Sequence, residues 1–180
     1  PLFDDDSELR IFSSGSFRIH KRLQESIKLL NLIQKYIPKT KFYILGSLDT
    51  QTSLLVKKLL LKNPHLRDHI IFLGHINFDD LPSFYANMDI MLHPSWTDSC
   101  PNVVVESIAC GTPVICPSIG GTPEIVGDGG IIIDEIFSFG FYEYYSYEKL
   151  PKINYAKYLE AVLKIHESRD FYSSKARKRA

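Results

Sequence analysis

Short apolar runs alternate with longer segments of helical period along most of this 180-residue chain. The runs are residues 9–13, 41–45, 69–73, 89–92, 113–116 and 131–133. Glycine, serine, asparagine or proline bounds them, and they are apolar throughout rather than alternating, which predicts six strands buried on both faces. Between them the period changes. Leu23, Ile27, Leu30, Ile33 and Ile37 recur three or four positions apart, so a helix over 21–37 has one apolar face, and Pro38 ends it. Residues 52–62 read as a second helix stopped by Asn63-Pro64, and 79–87 as a short third with Asp79 or Asp80 placed to cap it. Helices over 103–109, 153–167 (Tyr155, Leu159, Val162 and His166 on one side) and 171–179, with a helical turn at 124–126, complete the pattern. Such alternation predicts a doubly wound, mostly parallel six-stranded α/β sheet with helices on both faces and right-handed crossovers.

In an open sheet of this kind ligands bind outside the carboxyl ends of the strands. The segments that follow the first five strands, 14–22, 46–50, 74–78, 93–102 and 117–122, are where glycines, hydroxyls and charges concentrate. Asp98 and Glu106 lie eight positions apart, roughly 12 Å if the intervening chain were helical. That is too far for two carboxylates acting on one bond and suits a grip on both ends of an extended ligand. Pro101 fits the first turn of a helix, which would free the amides of Asn102, Val103 and Val104 for a phosphate. Glu106, set in VVVESIAC on a helix that reads as buried, can accept two hydrogen bonds from a sugar diol. Arg18, His20, Lys21 and Arg22 follow the first strand and its Ser-Gly-Ser turn. Cations are unfavourable at a helix N-terminus, so an anion such as pyrophosphate is the expected partner. Gly120 and Gly121 would allow a ligand close to the backbone. His93 reads either as a strand-end histidine or as a ligand contact.

Composition narrows the classes. Lysine plus arginine and aspartate plus glutamate both number 21, so no large basic field for nucleic acid is expected. Lys175, Arg177, Lys178 and Arg179 form the one cationic cluster and read as a solvated helix face, with a membrane or partner contact as the lesser alternative. No apolar run approaches the roughly 20 residues of a membrane span, and no signal-peptide pattern is present. Cys100, Cys110 and Cys116 are odd in number and lack metal-ligand spacing, which points to reduced thiols in a cytosolic setting. Asp4-Asp5-Asp6 reads as a solvated linker rather than a metal site. No G-x-G-x-x-G follows the first strand, against a dinucleotide-binding module. Seven aromatic residues between Phe137 and Tyr147 are expected to pack across the sheet edge or to face a part of the protein beyond this chain.

The segment SWTDSCPNVVVESIACGTPVICPSIGGTPEIV resembles the donor-binding signature of glycosyltransferase family 4 (group 1), retaining enzymes of GT-B fold. That signature is a Glu, seven residues, a second Glu, a small-Gly-x-Pro-Val run and a Gly-Gly-x-Pro-Glu turn. Here Glu106 is the second Glu, CGTPV the run and GGTPE the turn, with Asp98 replacing the first Glu. IFSSGSFRIHKR, IIFLGHI and FYANMDIMLHPS also resemble the family, so the likeness covers residues 9–133 and, more loosely, the C-terminal helices. The resemblance implies one Rossmann-like half of a GT-B enzyme. Residues 1–8 would be a linker from a missing N-terminal acceptor domain and 9–180 the donor-binding domain, inactive alone.

Carried over residue by residue, the resemblance implies that Glu106 binds the ribose of a nucleotide sugar. Asp98 and the segment Ser99, Cys100, Pro101, Asn102 and Val103 would meet the sugar and distal phosphate. Lys21 would sit on the diphosphate beside Gly15 and Ser16, and His75 and Ile76 would take the base through backbone contacts. The family's arginine five residues before the lysine is Ser16 here, so Arg18 or Arg22 would replace it. Neither metal nor cofactor is implied, because fixed cations would neutralise the leaving diphosphate. A UDP-sugar is the expected donor, a glycan or lipid-linked molecule the acceptor, and the cytoplasm, at the inner membrane face by peripheral association, the expected location. Alternatives are an epimerase or phosphorylase half of the same architecture, or a non-catalytic nucleotide-binding module.

Overall fold

Residues 7–135 and 150–180 are described in the computed structural model. The six apolar runs become β1 (Leu9–Ser14), β2 (Thr40–Leu45), β3 (Ile70–Gly74), β4 (Ile90–Leu92), β5 (Val114–Pro117) and β6 (Gly130–Ile133). They form one sheet in the order β3-β2-β1-β4-β5-β6, with every pairing parallel. Among the described residues the seven α-helices are α1 (Leu23–Ile33), α2 (Thr50–Lys62), α3 (Leu81–Ala86), α4 (Asn102–Ala109), α5 (Thr122–Val126), α6 (Tyr155–Glu167) and α7 (Arg169–Arg179).

Successive strand residues point to opposite faces, which accounts for the continuous apolar runs. Ile11, Ile44, Ile90 and Ile115 enter one core with Leu23, Ile27 and Leu30 of α1 and Val162 and Ile165 of α6. Phe12, Tyr43, Met91 and Val114 enter the other, with Phe84 and Tyr85 of α3, Val104 and Ile108 of α4, and Ala176 of α7. Both faces are therefore covered by helices, as the sequence predicts.

The boundaries differ where local chemistry outweighs periodicity. The helix expected over 21–37 is shorter: Ile19–Lys21 is a 3-10 turn, Arg22 takes a left-handed conformation at φ 52°, and α1 begins only at Leu23. Asp49 caps α2 by accepting from the Thr52 amide at 2.7 Å. Asp80 precedes α3 without a side-chain cap bond, contrary to the expected capping role. On α6 Val162 is buried as expected and Tyr155 and Leu159 pack against the core, but the most buried residues beside it are Tyr158, Ala161 and Ile165. The aromatic stretch from Phe137 to Tyr147 lies outside the described residues.

The cationic cluster has a structural task. Arg177 donates to the carbonyls of Ala109 and Cys110 at 2.7 and 3.2 Å, closing the C-terminal end of α4. Arg179 donates to the carbonyls of Ile125 and Glu124 in α5. Cations at helix C-termini satisfy orphan carbonyls and oppose the dipole. Among the described residues no helix is long and apolar enough to cross a membrane.

Candidate functional site

In the order β3-β2-β1-β4-β5-β6 the chain winds one way from β1 and the other way from β4, so the crevice at their carboxyl ends is the topological switch point. Two loops meet there. The first leaves β1 at Gly15, whose amide donates to the Leu45 carbonyl at 3.0 Å, while the Phe17 amide donates to Ser47 at 2.7 Å. Phe17 is buried, which anchors the turn carrying Lys21. The second loop leaves β4 at His93. The Trp96 amide donates to the His20 carbonyl at 2.7 Å and joins the two.

This joint brings Lys21 onto Asp98: the ammonium is ion-paired with Oδ2. His93 Nε2 lies 3.3 Å from the same oxygen, with a side chain only 4% exposed. Burial lowers the His93 pKa, with the Lys21 charge acting in the same direction, so the ring is neutral near pH 7. The pKa of His20 is also lowered, chiefly by burial and then by Lys21. For Asp98 burial alone would raise the pKa, yet the hydrogen bonds from His93 and Lys21 together with the Lys21 charge outweigh it and hold the carboxyl at about 2. Because the folded pKa is below the unfolded one, Asp98 contributes stability above pH 3.8 and loses it as pH falls towards about 2. In Lys21→Met the carboxyl midpoint of Asp98, followed by carbon-detected NMR, should rise; an unmoved midpoint would remove the lysine as its partner.

Arg22 departs from its expected role. It is fully buried, and its Nη1 donates to Glu135 Oε2 at 2.8 Å. Its guanidinium stacks 4.8 Å from the Trp96 ring centroid. The left-handed backbone turns the side chain inward, so Arg22 holds the loop after β4 and the segment after β6 beneath the site rather than facing a diphosphate. Tyr158 lies at the same charge pair, and its hydroxyl pKa is raised by burial and then by Glu135. Arg18, in contrast, is exposed at the rim, as are Ser16 and His75; Gly15, Lys21 and Ile76 are half-buried.

Gly120 and Gly121 also serve a different neighbour. The Gly121 amide donates to the Asp98 carbonyl at 2.9 Å. A Cβ at Gly120, whose φ is 73°, would stand 2.6 Å from the Asp98 carbonyl oxygen, and one at Gly121 would overlap that of Ser99. Their missing side chains admit the protein's own 98–99 backbone. Ser99 and Cys100 are exposed beyond it, and Pro101 is buried.

Pro101 is the residue before α4 rather than within it, and no side chain caps that end. The Val104 amide, expected to be free, donates to the Pro101 carbonyl at 2.9 Å, which leaves the amides of Asn102 and Val103 as the first of the helix. One turn on, Glu106 is half-buried and its Oε2 accepts from the Tyr85 hydroxyl at 2.9 Å. Ser14, the last residue of β1, lies 3.4 Å from the same hydroxyl, which sets Glu106 against the β1 end of the crevice. The Lys21–Asp98 pair and Glu106 therefore both lie near the carboxyl ends of the central strands, and Arg18 is exposed beside Lys21. Tyr85, Trp96 and Glu135 carry no motif in the sequence that singles them out. Among the described residues no group of three or more His, Cys, Asp or Glu converges as metal ligands would.

Comparison with known proteins agrees with this architecture. Over 131 residues, 72% of the chain, the sequence is 30% identical to N-acetyl-alpha-D-glucosaminyl L-malate synthase of Bacillus anthracis, covering 33% of that protein. Over 65 residues, 36% of the chain, it is 35% identical to O-antigen chain mannosyltransferase B of Escherichia coli, covering 17% of it. The fold superposes with a TM-score of 0.74 and 17% identity on the pneumococcal O-GlcNAc transferase GtfA in complex with UDP and GlcNAc, over 99% of this chain and 34% of that one. The chain thus spans about a third or less of each of these proteins. The family profile described as "Glycosyl transferases group 1" matches residues 2–179, and with the parallel sheet of a GT-B half-domain this places the chain in that glycosyltransferase family.

Proposed function

We propose that the chain is the donor-binding half of a retaining glycosyltransferase of family 4, taking a nucleotide-diphosphate sugar, with UDP as the nucleotide. The observation that carries this reading is the Lys21–Asp98 ion pair at the switch point, with Glu106 set against the carboxyl end of β1 through Tyr85. In this reading Glu106 accepts hydrogen bonds from the ribose, Asp98 faces the transferred hexose, and Lys21 with Arg18 takes the diphosphate. The Lys21 ammonium already rests on a carboxylate. A diphosphate offers it more negative charge, so donor binding would share or displace that pair. As the leaving group gains charge in the transition state, the same cation and the open amide end of α4 stabilise it, with neither metal nor cofactor. His20 and His93, with lowered pKa values, would add no positive charge at neutral pH.

The whole enzyme would add an acceptor domain N-terminal to the linker at 1–8 and close the crevice over donor and acceptor. The acceptor would be a glycan or lipid-linked molecule in polysaccharide synthesis, handled in the cytoplasm at the inner membrane face.

Calorimetric titration of the chain with UDP, GDP and their sugars tests the reading. UDP should bind at millimolar concentration or better, and Glu106→Gln should weaken it about 10-fold or more, the scale of a lost charge-assisted hydrogen bond. A folded chain that ignores every nucleotide, or a variant with unchanged affinity, would count against it.

A further inference from the structure

Glu106 does not stand alone on α4. Its Oε2 accepts from Tyr85, a residue of α3 that is only 2% exposed. The tyrosine is fixed from several sides. Its ring packs 5.2 Å from that of Phe12 in β1 and 5.9 Å from that of Phe84. Its backbone carbonyl accepts from Thr112 Oγ1 at 2.6 Å. A phenol carries one proton, and a carboxylate is the stronger acceptor, so that proton goes to Glu106 and the Ser14 hydroxyl at 3.4 Å is left the weaker contact. Burial, together with the neighbouring Glu106, raises the pKa of the phenol well above its ordinary value, which keeps it a donor throughout the neutral range.

We infer that Tyr85 is a positioning residue: it holds one carboxylate oxygen of Glu106 so that the remaining acceptor sites are presented to a vicinal diol, and it thereby sets preference for a ribose over a sugar lacking those hydroxyls. The inference rests on the assignment of Glu106 to the ribose. A carboxylate has about four lone-pair sites and a freely rotating one spreads them over several directions. One hydrogen bond from a rigid ring selects a single rotamer, so the diol meets an acceptor that is already oriented and loses less entropy on binding. Tyr85 itself stays out of ligand contact, behind Glu106 and against β1.

The test compares three ligands, UDP, 2′,3′-dideoxy-UDP and inorganic pyrophosphate, on the wild-type chain, Tyr85→Phe and Glu106→Gln, by calorimetry. Phenylalanine keeps the ring contacts, so Tyr85→Phe should fold. It is expected to lose about 3- to 10-fold in the UDP over dideoxy-UDP preference, the size of one modest hydrogen-bond contribution, with pyrophosphate affinity unchanged. Wild-type preference retained in Tyr85→Phe, while Glu106→Gln abolishes it, overturns the Tyr85 role and leaves the ribose assignment standing. Preference retained in Glu106→Gln overturns that assignment and the present inference with it. Uniform weakening of all three ligands by Tyr85→Phe marks a merely structural residue and also overturns the inference. The wild-type chain offers a second readout that needs no variant. The buried Tyr85 hydroxyl proton should shift in the NMR spectrum on saturation with UDP and stay put with pyrophosphate, and equal shifts with both would contradict the proposal.

Discussion

Arg22→Met and Glu135→Leu, each alone, should lower the unfolding free energy by roughly 3–5 kcal/mol, as expected when one member of a buried ion pair is removed. The side chains are 0% and 3% exposed, so neither charge can turn to water once its partner is gone. The double variant should recover much of the loss, because two apolar residues of similar volume replace a pair whose desolvation already costs about as much as its attraction returns. Guanidinium unfolding of the four proteins, treated as a double-mutant cycle, checks this. Arg22→Gly adds a separate comparison. It removes the cost of a left-handed non-glycine residue, about 1 kcal/mol, yet it still strands Glu135 and should remain less stable than wild type. If every single variant were within about 0.5 kcal/mol of wild type, Arg22 would behave as an ordinary surface residue and not as half of a buried ion pair.

Gly121→Ala is the second large expected effect. The added methyl would overlap the Ser99 carbonyl oxygen, and that oxygen belongs to the backbone rather than to a flexible side-chain end. The 98–99 segment has to move, which breaks the 2.9 Å hydrogen bond from the Gly121 amide to the Asp98 carbonyl and withdraws Asp98 from Lys21 and His93. Overpacking of this kind costs about 1–3 kcal/mol of stability. The effect on the site should exceed the effect on the fold. UDP-sugar affinity should fall about 10-fold or more, since sub-ångström placement of such groups decides binding and catalysis. Thermal unfolding followed beside calorimetry separates the two. An alanine variant with wild-type affinity would show that the tight approach of the two loops is incidental.

The strands were legible because burial on both faces leaves no polar alternation to interrupt them: Ile11 and Phe12 are adjacent and enter opposite cores. The rim was legible for a related reason, since polar groups and glycines remain only where the strands stop. Asp98, Glu106 and Lys21 stand out in the sequence on that basis and by resemblance. The direction in which a side chain points was not. A basic residue at the start of a helix reads the same whether it faces a ligand or the core, and Arg22, turned inward by its left-handed backbone, meets Glu135, 113 positions along the chain. Gly120 and Gly121 read as room for a ligand beside the backbone, and the close neighbour in the structure is the 98–99 backbone. Tyr85 looked like core because its ring is core; only its hydroxyl belongs to the site, and Glu106 is 21 residues away. Long-range partners of this sort leave no local period for the sequence to display.

The arginines of α7 bear on how the chain can be cut. Arg177 and Arg179 fasten the carboxyl ends of α4 and α5, while those helices begin after the loop at Asp98 and after the paired glycines, with Glu106 midway along α4. The last turn of α7 is thus a buckle, drawn across two helices that each touch the site at the other end. Removing it for convenience, or masking it with a fused tag, would loosen the ligand crevice from behind, although no residue of α7 lines it.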